Sequence, residues 1–438
     1  MIKDNLNKPY VKLLLGILGG LTSVLIILGL VFFIKPSKSI GTTSSMANAS
    51  STVNAKVATK PQTVHVKTPK AVKAIYMSSW VGSTKDWRQK LVDFINTSEV
   101  NALVIDVKDY SGYVSFITGD PEIAKLGLEE NRIKDMKAFI ELLHSHNIYV
   151  IGRVTVFQDP VYSQKFPSQA VQTQSGKVWK DKHDLSYVDP SSKPFWNYIV
   201  RIARACESIG FDEINFDYIR FPTDGNMADM KFPLSGPLMA QMKPKPILLG
   251  KDSVTLQGRV TGNARGVSAN LSLKGQIMDK FYTHLHNELG SGKLGVPISA
   301  DLFGLVTYNR DDLNIGQVLE VAAKSFDYIA PMVYPSHYPR GFKNYSNPAD
   351  HPYEIIDYAM KTGAERLESM GYSRNKLRPW IQDFNLGAKY DAAKVKAQMK
   401  AVYDNKLNSW MVWDPRNKYT RDAYAPAKPE IPTVSQNK

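Results

Sequence analysis

The chain has 438 residues, with 55 Lys and Arg against 41 Asp and Glu, a formal net charge of +14 and a pI near 9.4. A single cysteine, Cys206, excludes an intramolecular disulfide. No helix-turn-helix, zinc-finger or aromatic RNA-binding signature accompanies the basic balance, so no nucleic acid partner is expected, and the charge points to anionic surfaces such as lipid or wall polymer.

Residues 1–12 carry Lys3, Lys8 and Lys12 against Asp4 and form a short tail. The run 13–34 holds 22 residues without a charge, bracketed by Lys12 and Lys35. About 20 apolar residues cross a bilayer as a helix. A secretory signal has a shorter apolar region and a small-residue cleavage site, which Phe32, Phe33 and Ile34 do not provide. The run therefore predicts an uncleaved transmembrane signal anchor, with the tail in the cytoplasm and the body on the extracellular side of the cell membrane. Residues 35–70, rich in Ser, Thr, Ala, Val and Lys, predict a flexible linker that cannot bury enough surface to offset its ordering entropy.

From 71 to 425 strand and helix signals alternate. Strands are expected at 72–79, 102–109, 149–157, 213–221, 294–303, 328–335, 377–384 and 409–414. Their near-continuous apolar runs with a polar tip fit parallel strands buried on both faces. Helices are expected at 133–146, 194–209, 278–289, 313–326, 353–370 and 392–403, from apolar residues at three- and four-residue spacing. Within the first, His144 and His146 read as caps on helix-end carbonyls. Eight strands separated by helices predict an α/β (β/α)8 TIM barrel. Only 24 residues follow Asp414, so the last helix is expected to be short or irregular, and 426–438 to be a tail. The stretch 223–268 is too long for an ordinary loop after a strand and is expected to cover the active face as a lid or specificity loop.

In such a barrel, charged residues at the C-terminal ends of strands face the chemistry. Here these are Asp106 and Asp109, Asp217 and Arg220, Asp301, Tyr334 and His337, Gln382 and Asp383, and Trp413 with Asp414. Several carboxylates converging on one mouth, ringed by aromatic side chains, suit a sugar. Glycosidic cleavage needs one acid for the leaving oxygen and a second carboxylate as nucleophile or base, and aromatic faces cover the C–H faces of pyranose rings. Trp80 and Trp413 are the expected platforms. A metal site is not expected. His183 with Asp181 and Asp184 lacks a second ligand pair at zinc spacing. No cofactor is expected either, since neither a P-loop nor a G-x-S-x-G motif occurs. Oligomeric state is not legible.

The motif E-I-N-F-D-Y-I-R-F-P at 213–222, with I-D-V-K-D at 105–109, S-A-D-L-F-G at 299–304, A-P-M-V-Y-P at 330–335 and W-M-V-W-D-P at 410–415, resembles the bacterial glycoside hydrolase family grouped as DUF4015, within the TIM-barrel glycosidase superfamily. The resemblance covers about 72–416. It implies that Asp217 stands at the nucleophile position and Asp301 where related retaining enzymes carry a Glu acid/base. Asp301 is one methylene shorter than Glu, which leaves Asp383 and Asp106 as rivals for the acid.

The expected mechanism keeps Asp217 ionised beside Arg220 or another cation, with Asp301 protonated in a drier pocket. Tyr334 and Gln382 position hydroxyls, and Lys108 and Arg153 bind an acidic or phosphorylated substituent. The expected function is a membrane-anchored glycoside hydrolase acting on a cell-envelope or extracellular polysaccharide. A non-catalytic barrel that tethers wall polymer is the alternative.

Overall fold

The structure, a computed structural model, describes residues 63–246 and 270–427. The expected membrane span at 13–34, the linker up to residue 62, the middle of the 223–268 insertion and residues 428–438 lie outside them. Among the described residues no helix is long and apolar enough to cross a membrane.

Eight strands pair in parallel and in chain order, and the last closes on the first. They are β1 (Lys73–Met77), β2 (Ala102–Lys108), β3 (Tyr149–Thr155), β4 (Glu213–Asp217), β5 (Ile298–Phe303), β6 (Tyr328–Met332), β7 (Trp380–Gln382) and β8 (Trp410–Trp413). The main helices between them are α1 (Lys85–Asn96), α2 (Met136–Ser145), α3 (Lys193–Ile209), α4 (Leu273–Leu289), α5 (Leu319–Ser325), α6 (Pro352–Ser369) and α7 (Ala392–Asp404). Among the described residues no α-helix follows β8. A single 3-10 turn, Arg421–Ala423, takes its place.

Alternation along the strands makes two cores. Ile75, Leu103, Ile105, Val150, Ile214 and Phe216 belong to the larger cluster under the helices. Ala74, Tyr76, Ala102, Val104, Ile151 and Trp380 belong to a second cluster in the barrel interior. Both parities are apolar, which is why the strands read as continuous runs. The inward set then turns polar towards the C-terminal ends. Val104 is followed by Asp106, Ile151 by Arg153 and Asn215 by Asp217, all buried.

Local chemistry fixes the boundaries. The Ser192 side chain accepts from Phe195 N at the start of α3, and Gly210 with φ 115° ends it. The strand expected at 213–221 stops at Asp217, because Tyr218 takes φ 53° and breaks the ladder. The helix expected from 313 begins only at Leu319, since Leu313, Asn314 and Gly316 all take positive φ. Part of the expected linker belongs to the body. Val66 N donates to Asp212 Oδ1 at 2.7 Å, and Thr68 Oγ1 lies 3.1 Å from Tyr149 OH. The described flanks of the 223–268 insertion are pinned as well. Met230–Lys231 pairs with Gln172–Thr173, Lys245–Pro246 pairs with Asn270–Leu271, and Asp189 accepts from Leu234 N and Ser235 N.

Candidate active site

The C-terminal mouth holds a cavity of about 360 Å3 whose wall includes Arg153, Asp217, Asp301, Tyr334, Trp380 and Trp413. The two aspartates come from neighbouring strands in matched register. Asn215 pairs with Ser299 and Phe216 with Ala300, so Asp217 and Asp301 are the next positions on the inward face.

Arg153 organises the floor. Its guanidinium donates to Asp106 Oδ1 at 2.7 Å and to Asp217 Oδ2, and its Nε lies 3.7 Å from Asp301 Oδ2. One buried cation thus faces three buried carboxylates. Three further hydrogen bonds fix these acids. Tyr218 N donates to Asp217 Oδ1 at 2.6 Å. Asn215 Nδ2 and Trp380 Nε1 donate to Asp301 Oδ1 at 2.9 and 2.7 Å.

The environments of the acids differ. Burial, and then the Asp217 charge, push the Asp301 carboxyl well above the usual carboxylate range, against the pull of Arg153, Asn215 and Trp380. Burial also raises Asp106 to about 6, with Arg153 and Tyr76 opposing. Tyr76 OH donates to Asp106 Oδ2 at 2.5 Å, and Trp413 stacks on the Tyr76 ring at 3.9 Å. Asp106 is absent from the cavity wall, and its contact with the site runs through Arg153.

Several expectations need correction. The cation beside Asp217 is Arg153 and not Arg220, because the positive φ at Tyr218 turns the chain before Arg220. Arg220 lines the cavity but pairs with no acid among the described residues. Arg153 is occupied by its aspartates and is no free receptor for an acidic substituent. Lys108 is not in the site at all. A register shift after Asp106 turns it outward, where it is fully buried, 3.0 Å from Asp159 Oδ2 and donating to Thr155 O at 2.7 Å. Asp383 also faces away. It accepts from Thr420 N at 2.8 Å and Thr420 Oγ1 at 2.6 Å, which removes it as a rival acid although burial lifts it to about 6. Gln382 holds the loop after β6, accepting from Ser336 N and Oγ at 3.2 and 2.9 Å, and is absent from the cavity wall. Trp80 is half exposed beneath the Arg132 guanidinium, 4.3 Å from its ring centroid, and does not line the cavity. Tyr334 and Trp413 line the cavity.

Sequence reasoning did not single out Tyr218, Phe303 or Trp380 in the wall. A bulky residue following a strand-end Asp and preceding Arg-Phe-Pro was a usable signal for Tyr218. The spacing Gly290-Ser291-Gly292-Lys293-Leu294-Gly295 has the form of a dinucleotide fingerprint, which must leave a strand and open a helix. Here it leaves α4 and leads to β5, so it lacks that context. Among the described residues, no cluster of His, Cys, Asp and Glu has the form of a metal site.

A family model described as DUF4015, "Putative glycosyl hydrolase domain", matches residues 74–419. No curated protein matches the chain. Among solved structures, a hypothetical protein from Ruminiclostridium thermocellum ATCC 27405 is 31% identical over 52% of this chain and 96% of its own, with a TM-score of 0.40. The glycoside hydrolase domain of PgaB (BpsB) from Bordetella bronchiseptica aligns over 82% of this chain and 100% of its own, at 13% identity and a TM-score of 0.52. Alpha-L-fucosidase isoenzyme 2 from Paenibacillus thiaminolyticus aligns over 81% of this chain and 48% of its own, at 11% identity and a TM-score of 0.52. The last two likenesses are of fold.

Proposed function

We propose, from the premise that the chain belongs to the DUF4015 family of glycosyl hydrolase domains, that it hydrolyses a cell-envelope or extracellular polysaccharide with Asp217 and Asp301 as the working pair. The observation that carries this reading is the contrast between two neighbouring carboxyls in one cavity. Asp217 is bound to the Arg153 guanidinium and a backbone N–H. Asp301 is buried and raised, which favours the acid. Environments that separate two carboxyls in this way assign acid and base roles.

Asp301 then donates its proton to the leaving glycosidic oxygen. Asp217 attacks the anomeric carbon as the glycosidic bond breaks, or stabilises the positive charge that develops there, and water then supplies the hydroxyl to that carbon and a proton back to Asp301. Trp413, Trp380 and Tyr334 offer ring faces and edges to the sugar in the same cavity. The uncharged run at 13–34 supports a body tethered to the outer face of the cell membrane.

The test is a reducing-sugar and mass-spectrometric screen of the protein and its Asp217→Asn variant against wall glycans, teichoic acids and amino-sugar exopolysaccharides. Products are expected from the wild type, with a loss of at least about a hundredfold in the variant. Equal product release by both would remove Asp217 from the mechanism. The engagement of both carboxylates by Arg153 also suits a barrel that only binds polymer. Retention of a polymer by both proteins, with no cleavage by either, would establish that second reading.

A further inference from the structure

Five arginines are buried among the described residues: Arg88, Arg153, Arg220, Arg366 and Arg378. Four have carboxylate partners. Asp135 sits on Arg88, three aspartates surround Arg153, Glu320 holds Arg366 and Glu213 holds Arg378. Arg220 is only 7% exposed and has no such partner among the described residues. A buried charge without a counter-charge is costly, and folds ordinarily pair it.

The Arg220 guanidinium is nevertheless held in place. Its Cζ lies 4.9 Å from the ring centroids of both Tyr218 and Phe303. Its Nη1 donates to Phe221 O at 3.1 Å and to Thr223 Oγ1 at 3.2 Å. Nε and Nη2 are left without an acceptor among the described residues. Neither belongs to the fully covered unpartnered atoms, and Arg220 lines the same cavity as Asp217 and Asp301. The N–H groups of Nε and Nη2 share one edge of the planar guanidinium. That edge matches the two oxygens of a carboxylate or phosphate, which accept both hydrogen bonds at once. A neutral hydroxyl could take one of them and would leave the charge unpaired.

We propose that Arg220 is the receptor for an anionic substituent, a carboxylate or a phosphate ester, on the sugar unit that occupies the subsite beside Asp217. The proposal rests on the hydrolase reading for treating that sugar as substrate. Asp217 already has Arg153 as its cation, so Arg220 remains available to select the ligand. The substrate class is thereby narrowed to acidic glycans: polymers bearing uronic acids or sugar phosphates.

The probes are d-glucuronate, its methyl ester, glucose 6-phosphate and glucose, titrated against the full chain by tryptophan fluorescence, since Trp380 and Trp413 line the cavity. Glucuronate or glucose 6-phosphate is expected to bind at least about tenfold more tightly than the neutral sugars. A lead by glucuronate names the carboxylate source, and a lead by the phosphate ester names the other. Arg220→Gln should abolish the difference. Arg220→Lys should keep part of it, retaining the charge but not the fork. Equal binding of charged and neutral sugars, or no saturable binding of either anion, overturns the proposal, and that comparison needs no variant. The hydrolase reading fails separately. Anion-selective binding that depends on Arg220, with no product from any acidic polymer, removes hydrolysis and keeps the receptor. Cleavage of a neutral polymer by wild type and Arg220→Gln alike removes the receptor and keeps hydrolysis.

Discussion

A carboxyl group donates a proton to a leaving oxygen only if it still holds that proton at the working pH. The position of Asp301 raises its carboxyl well above the usual carboxylate range. Burial is the largest cause and the Asp217 charge the next, while the Trp380 and Asn215 donors pull towards ionisation. The sign of a test follows. Trp380→Phe removes the Nε1–H donor, which stabilises the charged form, so the Asp301 carboxyl is raised further. The acid then keeps its proton to higher pH, and the alkaline limb of the kcat/KM profile should move up. An unmoved limb in a folded variant would assign that limb to another group. At this scale the aspartates were legible, because a carboxylate at the end of an apolar strand is conspicuous. Their cation was not. Arg220 lies three residues beyond Asp217 in the chain and looked like its partner, whereas Arg153 is 64 residues away and reaches it only because β3 and β4 are neighbours. Lys108 was misplaced for a similar reason, since no residue pattern announces the register shift that turns it outward.

Among the elements, the longer strands were the easiest to recognise, being buried on both faces. Their ends were harder, because backbone conformation at single residues such as Tyr218 and Leu313 decided them. The same dependence makes the β5 end a sensitive point. Gly304 follows Phe303 in the cavity wall, and a Cβ there would lie 2.5 Å from Met332 O and 2.9 Å from Val333 Cα. Both neighbours are backbone at the end of β6, so neither can swing aside. Gly304→Ala should therefore push β5 and β6 apart at the mouth, costing roughly 1–3 kcal/mol as overpacking does. Thermal unfolding should show a lower Tm, and any measured KM should rise with it. Gly236, in the short helix Ser235–Ala240, has nothing within 4 Å of an added Cβ, and Gly236→Ala is the control expected to be neutral or slightly stabilising. A Gly304→Ala protein as stable as the control would show that the two strand ends can separate freely.

For the whole molecule, the eightfold alternation was enough to predict closure. The boundary of the body was not legible, because 63–70 has linker composition and gains order only from partners more than 80 residues away. Asp212, just before β4, is the anchor. It accepts from Val66 N at 2.7 Å and Val150 N at 2.8 Å, and its Oδ2 lies 3.0 Å from His144 Nε2. His144 is therefore an acid partner and not the carbonyl cap expected from its place near a helix end. His65 joins the group, its ring nitrogens 3.5 Å from Glu207 and 3.7 Å from Asp212. Asp212 is the main cause that raises the His65 pKa above its ordinary 6.5. A raised folded-state pKa means that the charged imidazole stabilises the fold fully below 6.5 and progressively less as pH rises through the folded value. A chain starting at residue 71 loses His65 together with the Val66 and Thr68 hydrogen bonds, each worth about 1 kcal/mol. It should unfold several degrees below a chain starting at 61, roughly 2–4 °C per kcal/mol for a domain of this size. The gap should be wider at mildly acidic pH, while Asp212 remains ionised, and should narrow as pH passes the His65 pKa. Calorimetry of the two chains across that range checks both claims. Equal midpoints would return 63–70 to the linker, and a gap constant with pH would leave the attachment to contacts other than the His65 charge, the Val66 and Thr68 bonds among them.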